Sequence, residues 1–206
     1  MRGGRIIAVR LQGAGAIVVA PMTIIATVLA LAFGAADQYL GSLSAHGWGV
    51  WTVAVSQMSA TWLLLPFLAG LTRERAGPAA RLGLLVTYAG LLGYFVMTLS
   101  PVEGVALSHV HLAAFLRSQS DLLVGGMVTG PLFGYLGHRW RVSRSWASAL
   151  LIAGAACGEP LARALVGRLD PPTLVWVTEV ALGATTAAYF AIAGVAYRRR
   201  LGRGSA

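Results

Sequence analysis

Residues 82–102 read LGLLVTYAGLLGYFVMTLSPV, without one Asp, Glu, Lys or Arg. A helix rises 1.5 Å per residue, so about 20 such residues cross the roughly 30 Å hydrocarbon core of a bilayer. Uncharged windows recur at 11–36, 38–72, 122–137, 145–158 and 180–197. The whole 206-residue chain is 57% hydrophobic and 11% charged, with a mean hydropathy of +0.72, far from the balance of a soluble domain. The windows predict an all-α polytopic membrane protein, a bundle of six transmembrane helices near 15–37, 49–71, 82–99, 121–137, 146–164 and 174–197. No low-complexity linker divides them, so residues 1–206 read as a single integral membrane domain.

The basic residues orient this bundle. All sixteen are Arg. Thirteen fall on one side: Arg2, Arg5, Arg10, Arg73, Arg75, Arg81, Arg139, Arg141, Arg144, Arg198, Arg199, Arg200 and Arg203. Only Arg117, Arg163 and Arg168 fall on the other, and the positive-inside rule therefore places both termini in the cytoplasm of a bacterial plasma membrane. The net charge of +9 follows from topology and from attraction to anionic inner-leaflet lipid, and calls for no nucleic-acid partner. The first apolar stretch exceeds the 7–15 residues of a signal-peptide core and reads as an uncleaved span. The richness in Arg, Ala and Gly beside the lack of Lys points to a GC-rich genome.

Against this background the seven acids stand out: Asp37, Glu74, Glu103, Asp121, Glu159, Asp170 and Glu179. Asp37 ends the first helix, Asp121 begins the fourth, and Glu159 and Glu179 lie inside the fifth and sixth, all toward the arginine-poor side. Glu179 continues into Gly183, Ala187 and Ala191, and Asp37 follows Ala26, Ala30 and Gly34, stripes of small residues of the kind that pack helix on helix. Asp121 shares a stripe with Gly125 and Thr129; Glu159 follows Ser148 and Ala155. The four carboxylates are thus expected to face the bundle and line an acidic pocket near the outer surface. An intramembrane acid is costly enough to suggest function, although Glu159 and Arg163, four residues apart, also suit a simple ion pair. Pro160 cannot donate to the carbonyl of Ala156, which predicts a local break beside Glu159. The glycines at 125, 126, 130 and 134, with Pro131, predict a kinked fourth helix or one packed against a neighbour's backbone.

Other signals are weaker. His109 and His111 could meet Glu103 and Asp121, but His-x-His alone has little specificity for metal and a solvated loop is the simpler account. His46 and His138 have no evident partner. The lone Cys157 has no partner for a disulfide within the chain. No phosphate loop, zincin or Ser-His-Asp pattern is present, and no metal or other cofactor is called for. Aromatic residues such as Trp62, Tyr94 and Phe133 serve as packing and interfacial anchors, with some available to hold a cation by its attraction to ring faces.

DQYLGS at 37–42, SQMSATWLLLPFLAG at 56–70 and LLVGGMVTGPLFGYLGHRW at 122–140 resemble segments of a family of small six-span bacterial membrane proteins of unassigned function. More loosely, the size, span number and buried carboxylates resemble bacterial integral-membrane terpenoid cyclases, though the Trp-Glu pair of the fungal relatives is absent. That resemblance implies an intramembrane acid, Glu159 or Glu179 with Asp37 and Asp121 beside it, protonating a hydrophobic prenylated substrate while aromatic faces stabilise the carbocation. The chain is also similar in outline to the substrate-binding subunits of energy-coupling-factor transporters, which implies an acidic outward pocket for a cationic small molecule. The stripe Ala26, Ala30 and Gly34 would then dock a membrane partner or, in a homodimer, a second copy. A structural membrane subunit, its acids paired with Arg163 and Arg168, is the third reading. Four acids and many aromatics in an apolar chamber tilt the balance toward the cyclase.

Overall fold

The computed structural model describes residues 5–43, 49–56, 58–105, 112–144, 146–167 and 173–203. Regular structure there is helical: α1 (Arg5–Ser42), α2 (Val50–Ser56), α3 (Ser59–Leu71), α4 (Ala76–Thr98), α5 (Leu112–Ser118), α6 (Ser120–Ser143), α7 (Trp146–Leu165) and α8 (Thr173–Arg203). No strand occurs among the described residues.

Three helical segments among the described residues, not six, are long and apolar enough to cross a membrane: Pro21–Ser42, Ala76–Thr98 and Val175–Val195. The other three expected spans fall short for separate reasons. The second is divided, because Met58 takes an extended backbone and separates two short helices, α2 and α3. The fourth, α6, has Asp121 in its first turn and Arg141 in its last. The fifth, α7, carries Glu159 and Arg163 on an Ala- and Gly-rich frame that dilutes its apolarity. Nor does Pro160 break α7, which runs through it from Trp146 to Leu165. The interruption lies in the facing helix instead.

Helix α4 packs against α1, α3 and α6, α6 also packs against α3, and the α7–α8 pair joins this group chiefly through α3. Glycine permits the approach of α1 to α4 and of α6 to both α3 and α4. A Cβ on Gly34 of α1 would fall on the carbonyl of Gly90, and one on Gly93 of α4 on the carbonyl of Leu31. Gly134 of α6 likewise lies against the carbonyl of Ala79, and Gly137 against that of Phe67. Backbones meet directly, as small-residue packing in lipid requires. The stripe Ala26, Ala30 and Gly34 packs inside the chain: Ala30 is fully buried with Ala26 packed at its side. Ile24, Ile25, Val28 and Leu29 on α1, and Leu182, Tyr189 and Ile192 on α8, point outward and leave an apolar perimeter.

One end of the bundle is basic. Arg73, just beyond α3, is buried and donates to Thr23 of α1. Its carbonyl lies 3.0 Å from Nδ1 of His138, and Arg141 donates to the carbonyl of Leu71 at 3.2 Å while lying 3.6 Å from Glu74. Cations thus sit at the C-terminus of α3, where the helix dipole favours them.

Candidate functional site

The opposite end of α3 organises the acids. Its first turn begins with backbone N–H groups that no preceding turn can satisfy, and its N-cap residue, Met58, supplies no side-chain bond. Glu159 reaches across from α7 instead. The Ser59 backbone N–H donates to its Oε2 at 2.7 Å, and the Ser59 hydroxyl to its Oε1 at 2.9 Å. Arg163 completes the set, donating from Nε and Nη2 to Oε1 at 3.0 and 2.8 Å, with its guanidinium 5.1 Å from the ring centre of Trp176. Glu159 is thus both the cap of a broken helix and half of an ion pair.

Asp37 occupies a different face of α3. It is 7% exposed and accepts a hydrogen bond from Nε1 of Trp62 at 3.2 Å. That indole is braced edge-on by Phe33 at 5.4 Å and by Tyr94 at 6.1 Å, so its N–H is aimed rather than free to turn. Asp37, Trp62 and Tyr94 line a cavity of about 410 Å³ together with Thr87, Gly125 and Asp121. Asp121 is exposed and stands at the rim. Thr87 is buried, and its hydroxyl has no partner. The volume lies within the range of about 300–1,000 Å³ usual for small-molecule sites. Among the described lining residues there is no Arg, Lys or His to neutralise the two carboxylates.

Glu179 lies on a third face. It is 2% exposed, neither carboxyl oxygen has a hydrogen-bond partner, and it borders a cavity of only about 130 Å³ between α3, α7 and α8. Glu159 borders yet another, of about 280 Å³, with Ser59, Leu63 and Gly158. The four acids expected in one pocket therefore ring the first turns of α3, with only Asp37 and Asp121 facing the same space. Cys157 is half-buried, its thiol directed at the carbonyl of Val180 at 3.6 Å. His46, His109, His111, Arg168 and Asp170 lie outside the described residues. No group of three His, Cys, Asp or Glu suited to a metal occurs among the described ones.

Ser59 and Thr87 carry no motif, and the sequence alone does not single them out. For Ser59 a signal exists: Ser56, Gln57 and Ser59 form a polar knot in an otherwise apolar run. Nothing in the sequence distinguishes Thr87 from other intrahelical threonines. No family model matches the chain, and neither a curated protein nor a solved structure is significantly similar to it.

Proposed function

We propose that the chain is a multi-pass membrane protein, with α2–α3, α6 and α7 completing six crossings, that binds a small organic cation in the Asp37 cavity. One observation carries this reading: a buried carboxylate aimed by an indole N–H shares an aromatic-walled cavity with a second carboxylate and, among the described lining residues, no basic side chain. An ammonium group there would meet Asp37 directly and the faces of Trp62 and Tyr94 at its flanks. Such a site fits the substrate-binding subunit of an uptake system. Thermal unfolding of the purified protein in lipid tests it, using quaternary ammonium compounds against neutral analogues with carbon in place of nitrogen. Stabilisation confined to the cations supports the reading; equal stabilisation by the neutral analogues removes it.

The terpenoid-cyclase reading draws on the same walls, since aromatic faces that hold a cation also stabilise a carbocation. Its acid would be Asp37 rather than Glu159, whose oxygens are taken by Ser59 and Arg163, or Glu179, whose cavity of about 130 Å³ is small for a prenyl chain. A cyclic product formed from a neutral prenylated substrate by the wild type, and lost in Asp37→Asn, would establish that alternative.

A further inference from the structure

The surroundings of Glu179 are unlike those of the other acids. The carboxyl is 2% exposed with both oxygens unpartnered, and it faces a small space walled by Met58, Leu64, Ala153 and Leu182, with Thr61 and Thr186 as its only hydroxyl-bearing neighbours among the described lining residues. Among the described residues, the charged groups near enough to act on it are both on α7, Glu159 and Arg163; the described lining residues of α3 and α8 add none besides Glu179 itself. Arg163 directs two donors at Glu159 Oε1. An ionised Glu179 would therefore be a buried, unsolvated anion beside a second carboxylate, with the nearby cation already engaged. A neutral carboxylic acid bears neither penalty.

We propose that Glu179 is a proton-binding site, separate from the Asp37 cavity, that holds a proton while Glu159 caps α3 and pairs with Arg163. Release of that proton requires a new partner for the carboxylate. The nearest candidate is Arg163, and drawing it away would loosen the Glu159 cap at the helix break. The proton would then pass to Glu159 as the ion pair passes to Glu179, so charge is conserved in the exchange. Buried acids beside interrupted helices serve as proton relays in membrane proteins. The site stands independently of the ligand reading for the Asp37 cavity.

The test uses the full chain in lipid vesicles at neutral pH with no ligand added. Dicyclohexylcarbodiimide modifies protonated carboxyls in apolar surroundings, and mass mapping of the wild type should find the adduct on Glu179 and not on Glu159. Infrared spectra should show a protonated C=O band that is lost in Glu179→Gln and retained in Asp37→Asn. If Glu179→Gln fails to fold, the labelling map of the wild type still decides. Absence of an adduct on Glu179, or labelling of Glu159 in its place, overturns the proposal, as does a spectrum with ionised carboxylates alone.

Discussion

At the scale of the residue, Glu159 shows how a carboxylate inside a hydrophobic chain is accommodated. Four donors from Ser59 and Arg163 surround it, and Glu159→Ala would leave the first turn of α3 uncapped and Arg163 without its carboxylate. Hydrogen bonds to charged groups contribute about 1.5–3 kcal/mol each, so a loss of about 2–3 kcal/mol is expected in denaturant unfolding. Glu159→Gln keeps an acceptor for Ser59 and should lose about half as much. Equal stability of all three proteins would show that the cap does not hold α3. Trp62→Phe asks a different question. It preserves most of the ring packing on Phe33 and Tyr94 but frees Asp37, so the fold should persist while cation binding weakens. That Asp37 and Glu179 face inward is legible in the sequence, because helical spacing puts each on a stripe of small residues. That Glu159 meets Ser59, a hundred positions away, is not, since such a pairing depends on how two helices cross.

At the scale of the element, the decisive event is the interruption between α2 and α3. Proline is the residue expected to mark a break, yet Pro21, Pro66, Pro131 and Pro160 all sit inside continuous helices. Neighbouring helices can satisfy the backbone group that a proline frees. The helix is interrupted at Met58 instead, and Glu159 caps the new end. Helix contacts depend on glycine in the same local manner. The methyl group added by Gly34→Ala would collide with the carbonyl oxygen of Gly90, and that added by Gly93→Ala with the carbonyl oxygen of Leu31. Each should cost about 1–3 kcal/mol by overpacking, more than the ~1 kcal/mol that alanine adds in helix propensity. Gly77→Ala meets nothing within 4 Å and should be neutral or slightly stabilising in the same assay. Indifference of the fold to Gly34→Ala and Gly93→Ala would mean that α1 and α4 do not pack backbone to backbone.

At the scale of the whole molecule, the arginine distribution is the most legible feature, and the helices follow it: Arg73, Arg141 and His138 gather at one end of α3 with Glu74, while Asp37, Asp121, Glu159 and Glu179 ring the other. Length and apolarity mark three described helices as able to cross a membrane; the further crossings proposed for α2–α3, α6 and α7 would not show in hydropathy, because polar groups satisfied by neighbours still lower it. With Cys157 replaced by Ser, a cysteine at Gly77 should react only with reagent on the cytoplasmic side, and one at Gly104 only with reagent outside, as thirteen arginines against three require. Reaction of both from one side would remove the six-crossing arrangement. The account rests above all on positive charge being held at Asp37, and calorimetry of a bound quaternary ammonium compound measures that directly. Asp37→Asn preserves volume and hydrogen bonding while deleting the anion, and should weaken the cation at least tenfold, about 1.4 kcal/mol, without lowering the unfolding temperature of the free protein. An unchanged affinity in Asp37→Asn would contradict the account.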